Sequence, residues 1–293
     1  MPPGQFIQHL LLATLCCAAH TPPVFSQDSL SGSQWQLFPD QLVFRPLLTN
    51  PQEPRLGLRK EVGNSRMRLD IGMALDLLEF TPSPGDRLRL GVTMFTYALT
   101  TSRQGLRLQV DAADGFFGGY IAYGSSMLAG RLRVLHHSAH FVDGHIDPST
   151  EFWINGSAPV PYTRDFGEFL IAIEWRLARN FVSLYNGAAY ATLVRPSEVQ
   201  RFSTLHGIEW HNDNFPGTLL GKPVNCYASY NLTFSGIPHY VGTSTLEAGI
   251  KLGHWLNGGI RVFVGYHNGL EVFGQYFQMR DEIWNLGLVF DVW

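Results

Sequence analysis

Lysine is almost missing from this chain of 293 residues, which has only Lys60, Lys222 and Lys251. Charged residues of both signs make up 15% of it, against about 25% in soluble domains. A soluble β-sandwich would carry more surface Lys and Glu, so that alternative is disfavoured. No apolar run reaches the roughly 18 residues of a membrane helix; the nearest is the short stretch Leu10 to Ala19 near the start. There is no basic block, and the net charge is −3, so nucleic acid is not an expected partner. Of the cysteines Cys16, Cys17 and Cys226, two lie in that first apolar stretch. A processed chain would keep one thiol and no internal disulfide.

What the chain does have is alternation. In Arg66 to Phe80, the residues Met67, Leu69, Ile71, Met73, Leu75 and Leu77 share one face, and Arg66, Arg68, Asp70, Gly72, Ala74 and Asp76 the other. Successive side chains of a strand point to opposite faces, so this is a strand with one apolar and one charged side. The pattern recurs: Leu88, Leu90, Val92 and Met94 oppose Arg87 and Arg89, and Phe169, Ile171, Ile173 and Trp175 oppose Glu168, Glu174 and Arg176. Aromatics at 13% and 30 glycines accompany it. Short alternating segments with few charges predict an all-β fold, an antiparallel transmembrane β-barrel of about 12 strands.

Residues 1–26 read as a signal peptide with Leu10 to Ala19 as its apolar region, although MPPGQFIQH carries no Lys or Arg. Residues 27–62, with Pro39, Pro46, Pro51 and Pro54, are expected to be a periplasmic lead-in or a plug segment, with Arg55 to Val62 a short extra strand or part of the plug, and 63–293 the barrel. Connections near Arg179 and Leu256 are short, whereas 143–165 and 270–280 are long, which puts the former in the periplasm. The stretch 212–222 is too long for a periplasmic turn. Trp293 ends the chain as an aromatic, off the face of Trp284, Leu286, Leu288, Phe290 and Val292.

The segments LVFRPLLTNPQEPRLG, RLRVLHHSAHFVDGH, YNGAAY and GYHNGLEVFGQYFQMRDEIWNLGLVFDVW, taken in order, resemble the bacterial family grouped as domain of unknown function 1207. The resemblance spans most of residues 38–293. It implies an exported protein of a Gram-negative-type envelope, located in the outer membrane, and brings no assigned activity.

The densest reactive cluster is His136, His137, Ser138 and His140, followed by Asp143, His145, Asp147 and Glu151. On a strand His136 and Ser138 share a face with Cα atoms about 6.6 Å apart. An imidazole there can take the serine proton, the requirement of nucleophilic ester hydrolysis. The His-x-Ser spacing is similar to that of the outer-membrane phospholipase A barrel and the lipid A 3-O-deacylase. That similarity implies Ser138 as nucleophile, His136 as base and Glu151 as orienter, although the matching spacing falls on Thr150. The pair continues the apolar face of Leu132 and Val134, so membrane lipids, including lipopolysaccharide, are the expected partners. Surface histidines at a strand end are the plainer reading. His136 and His140 lie about 13 Å apart on a strand, too far for one ion, and no metal or cofactor is expected.

The opposite face collects Arg66, Arg68, Asp70, Arg87, Arg89, Arg131, Arg133, Glu168, Glu174, Arg176, Glu247, Lys251 and Arg261. With both signs present these residues can line a small pore or pair across a closed lumen. The leading functional expectation is accordingly a structural or small-channel role, with an outer-leaflet lipid esterase as the alternative. Oligomeric state is left open.

Overall fold

A computed structural model describes residues 34–102, 108–147 and 149–292; residues 1–26, expected to be a signal peptide, and Trp293 lie outside the described residues. Thirteen strands follow one another: β1 (Trp35–Leu37), β2 (Leu56–Glu61), β3 (Arg66–Phe80), β4 (Arg87–Ser102), β5 (Leu108–Gly124), β6 (Leu128–Phe141), β7 (Tyr162–Leu177), β8 (Asn180–Arg195), β9 (Phe202–Leu219), β10 (Lys222–Gly236), β11 (Tyr240–Leu252), β12 (Gly259–Leu270) and β13 (Arg280–Asp291). Each pairs antiparallel with its chain neighbour from β2 onward, and β13 returns to β2 to close a 12-stranded barrel. Strand β1 lies outside this ring, on the far end of β3, where Trp35 faces Phe80. The barrel therefore begins at Leu56 rather than at residue 63. Six residues of the expected lead-in are wall, because β13 would otherwise leave an unpaired edge.

The alternation decides the faces, and the barrel is inside out relative to a soluble protein. Met94, Val134, Ile71 and Phe169 are 71%, 64%, 60% and 52% exposed, whereas Arg133, Lys251 and Glu247 are at most 1% exposed. An apolar belt around a charged interior fits a bilayer, where every backbone group must find its partner in the closed sheet.

Turns follow the same logic. At one end the strands meet at 125–127, 178–179 and 220–221, and at the other across 142–161 and 271–279. The stretch 212–222 is no loop: β9 and β10 run on to a two-residue turn at Leu220 and Gly221, with φ of 52° and 73°. Paired positive φ values match the twist of a tight hairpin. The additional length is absorbed in the wall, where the register shifts between Asn225 and Cys226.

The lumen is filled. Between β1 and β2 the chain turns inward, and Phe44, Leu47, Leu48, Thr49, Asn50, Glu53 and Arg55 are buried there. Glu53 takes a hydrogen bond of 2.9 Å from Arg131, and Arg133 donates at 2.9 Å to Glu168. Arg55 donates to the carbonyls of Leu47, Leu48 and Asn50, which fixes the bend of the segment. Leu48 N–H donates to Glu209 at 2.6 Å, and Val43 N–H donates to Asp76 at 3.1 Å. The long-loop end is capped by 271–279. Gln275 donates to the carbonyls of Ala139 and Val160, each at 2.7 Å, and Gly274 N–H donates to Asp114 at 2.9 Å. A side chain at Gly274 would stand 2.6 Å from the Tyr162 ring, so only glycine fits this close approach. The space that remains is a vestibule of about 1170 Å³ at the short-turn end and a chamber of about 120 Å³ beyond the inserted segment.

Two outcomes follow. Glu53→Ala strips the carboxylate from buried Arg131 and Arg133 and is expected to destabilise the barrel by about 3–5 kcal/mol, read as a lower unfolding transition of the heat-modifiable form. The cap is pH-dependent. Burial first, and then a hydrogen bond with Asp281, push the Glu271 carboxyl up from 4.5 to about 7, against the pull of Arg66. A carboxyl that holds its proton more tightly folded than unfolded stabilises fully below about 4.5 and loses that contribution as pH rises through about 7. Amide protection in 271–279, after correction for the intrinsic rise of exchange with pH, should therefore be weaker above this window than below it, and Glu271→Gln should flatten the difference.

Candidate functional site

Strand β6 separates its histidines by face. His136, Ser138 and His140 continue the outward row of Leu132 and Val134, while His137 points inward at 1% exposure. His136 and Ser138 thus share the lipid-facing wall near the long-loop end. Ser138 faces Gly115 on β5 and Thr163 on β7; His136 faces Phe117 and Asp165. Gly115 leaves the wall bare beside the serine, since a side chain there would stand 3.9 Å from Ser138 Oγ.

Glu151, the expected orienter, is not the carboxylate beside His136. That residue is exposed in the β6–β7 loop, at φ 60°, with its N–H donating to the Asp147 carbonyl. The carboxylate that meets the imidazole is Asp165, directly across the strand pair, with Oδ1 2.6 Å from His136 Nδ1. A carboxylate on Nδ1 fixes the ring's tautomer and orientation and leaves Nε2 to work. Phe117 packs against the ring at 4.9 Å between centroids. The Ser138 hydroxyl makes no hydrogen bond among the described residues, so it lies beside the imidazole without engaging it. Such bonds often tighten only when substrate binds.

Asp165 was not singled out because residues 143–165 read as a connection. The signal is nonetheless there: Thr163, Asp165, Gly167 and Phe169 hold one face in period two, merging with the strand already recognised from Glu168. Its position opposite His136 is a matter of register, and no local pattern carries that.

Two further histidine–carboxylate pairs lie inside. His137 Nε2 is 2.7 Å from Asp114, and its ring stacks on Phe116 at 4.0 Å. His145 Nδ1 is 2.8 Å from Asp111, whose other oxygen accepts from Tyr276. Both tie the cap 271–279 to β5, a structural use. Of the residues predicted together, the structure brings His136 and Ser138 side by side and leaves Glu151, Asp143 and Asp147 in the loop.

Most of the expected inward charges pair with one another, whereas Arg87, Glu174 and Arg176 line the vestibule. Arg89 bonds Glu79 at 2.7 Å and Asp76 at 2.8 Å, Arg59 meets Glu247 at 3.0 Å, and Lys251 meets Asp291 at 2.7 Å.

No family model matches this chain, and no curated protein does. Among solved structures it is similar to the beta domain of the Bordetella autotransporter BrkA, at 15% identity and a TM-score of 0.46, covering 80% of this chain and 96% of that one. It is also similar to OmpT, an outer membrane protein of Vibrio cholerae, in its trimer form, at 8% identity and a TM-score of 0.37, covering 81% and 96%.

The face assignment has a direct readout. With Cys226→Ala as background, spin labels at 134, 136 and 138 should be relaxed by oxygen dissolved in the bilayer, and a label at 135 should be shielded. Equal relaxation at 134 and 135 would contradict the register of β6.

Proposed function

We propose that this is an outer-membrane barrel whose wall, not its lumen, carries the chemistry, as an ester hydrolase acting on lipids of the outer leaflet. One observation carries this reading: the His136 imidazole is held by Asp165 on the lipid-facing surface, with Ser138 beside it on the same face. The polar couple is set among outward Leu132, Val134 and Phe117, and a polar site in lipid is a functional candidate. Short turns at one end and long loops at the other put the couple at the extracellular side by the usual orientation of such barrels.

In this mechanism Ser138 Oγ attacks the acyl carbonyl while His136 Nε2 takes its proton. The alkoxide leaving group departs with that proton, and water repeats the sequence to free the acyl chain. Asp165 stabilises the imidazolium formed in between. The filled lumen supports the wall as the working surface, since an inserted segment tied by Glu53, Leu48 and Val43 blocks the bore.

The test is acyl release from phospholipid and lipid A by refolded protein, read by mass spectrometry. Ser138→Ala is expected to abolish release. Asp165→Asn should lower kcat by about 10²–10⁴, as when an orienting aspartate is neutralised, and Glu151→Gln should leave it unchanged. Absence of release by the folded parent would overturn the reading. A structural or small-channel role would then stand, with the vestibule of about 1170 Å³ as the place to look by conductance.

A further inference from the structure

Two arginines stand on the outer wall one strand beyond Asp165. Strand pairing runs Ser138–Thr163–Arg195 along one row and His136–Asp165–Leu193 along the next, across β6, β7 and β8. Arg195 is exposed at the tip of β8, and Arg201 stands exposed where β9 begins. Both line a recess of about 310 Å³ with Tyr190, Phe202 and Tyr240. Neither arginine makes an ion pair among the described residues, and Glu198 in the same connection is hydrogen-bonded to Ser197. Both guanidinium groups bond only backbone carbonyls among the described residues and stand beside outward aromatics.

The recess and the His136 site share one irregularity. The β7–β8 register shifts between Asp165 and Phe166, leaving Thr192 as the additional residue. Its hydroxyl donates to the Asp165 carbonyl at 3.2 Å, and Arg201 donates to the carbonyls of Ala191 and Thr192. The bulge therefore holds Arg201 while fixing the backbone under Asp165. Tyr190 and Phe202 face each other lower on the wall, 55% and 47% exposed. Arginine above an aromatic pair reproduces the order of a bilayer interface, where phosphate lies above the ring level and acyl chains below.

We propose that Arg195 and Arg201 dock the phosphate group of an outer-leaflet lipid. Arginine suits this role because its fork of donors matches phosphate oxygens in pairs. Arg195 stands two residues further toward the loops than the row of His136, about 6.6 Å along the strand and about 10 Å across two strand spacings. Glycerolipid and lipid A esters lie just below their phosphates, so a phosphate docked in the row of Ser138 hangs the ester at the next row down, that of His136 and Asp165. That last step rests on the hydrolase reading; the docking does not.

The experiment is native mass spectrometry of the folded Ser138→Ala barrel released from micelles, a background in which nothing turns over. The probes are diphosphoryl lipid A, the same lipid stripped of phosphate, and inorganic phosphate alone. Diphosphoryl lipid A should be retained over its stripped form, and Arg195→Gln with Arg201→Gln should cut retention roughly tenfold or more, as expected for lost charge-assisted bonds. Should the double variant not fold, Arg195→Gln alone serves, because that side chain bonds only the neighbouring Val194 carbonyl. Equal retention of stripped lipid, or unchanged retention in a folded variant, would overturn the proposal. Full displacement by millimolar inorganic phosphate would also overturn it, assigning the recess to the free ion. Loss of hydrolysis as a function would leave the retention result intact, so the two ideas fail separately.

Discussion

The buried ion pairs of the lumen are the constraint on which the rest depends. A barrel with lipid outside must place its charged face inside, and there each unpaired charge costs several kcal/mol. Arg131 and Arg133 meet this demand only in part from the wall, through Glu168. The remainder comes from Glu53, which lies on no strand. An inserted segment is thus part of the electrostatic closure of the barrel, in the way a core residue closes a cavity in a soluble protein. Its backbone groups are met by Glu209, Asp76 and Arg68, so the segment satisfies the wall and the wall satisfies the segment.

That closure moves the search for function outward. With the segment 41–55 and the cap 271–279 packed inside, the lumen keeps a vestibule and small chambers among the described residues. The wall, in contrast, carries polar side chains where hydrocarbon contact would be the default. His136, Asp165 and Ser138 are adjacent in space because three strands pair in one register, and Gly115 keeps their approach open. The Thr192 bulge carries the same patch on to Arg195 and Arg201. A bulge re-aims side chains and breaks the strict alternation, which is why even-numbered Tyr190 before it and odd-numbered Leu193 and Arg195 beyond it all face outward.

Polar groups face opposite energetic demands on the two surfaces. Inside, the His137–Asp114 and His145–Asp111 pairs are wrapped in aromatic rings and hold the cap, so they act as fasteners. Outside, the His136–Asp165 pair is partly open, with side chains 34% and 44% exposed, and has nothing to fasten. The same chemical couple is structural in one place and available for reaction in the other because of what surrounds it.

Period-two alternation was enough to establish the strands, their two faces and the membrane as solvent, because a strand's side-chain direction is set by its own backbone. It also placed Arg131, Glu168, Glu247 and Lys251 together inside, and His136 with Ser138 outside. It allowed a short strand or a plug over Arg55 to Val62 but did not join Leu56–Glu61 to β13, since so short a run carries little pattern. It did not pair Asp165 with His136, choose against Glu151, or send Glu53 to Arg131. Those contacts join residues 29 and 78 positions apart in the chain. They depend on register and closure, which are properties of the whole ring of strands, and only the tertiary structure decides them.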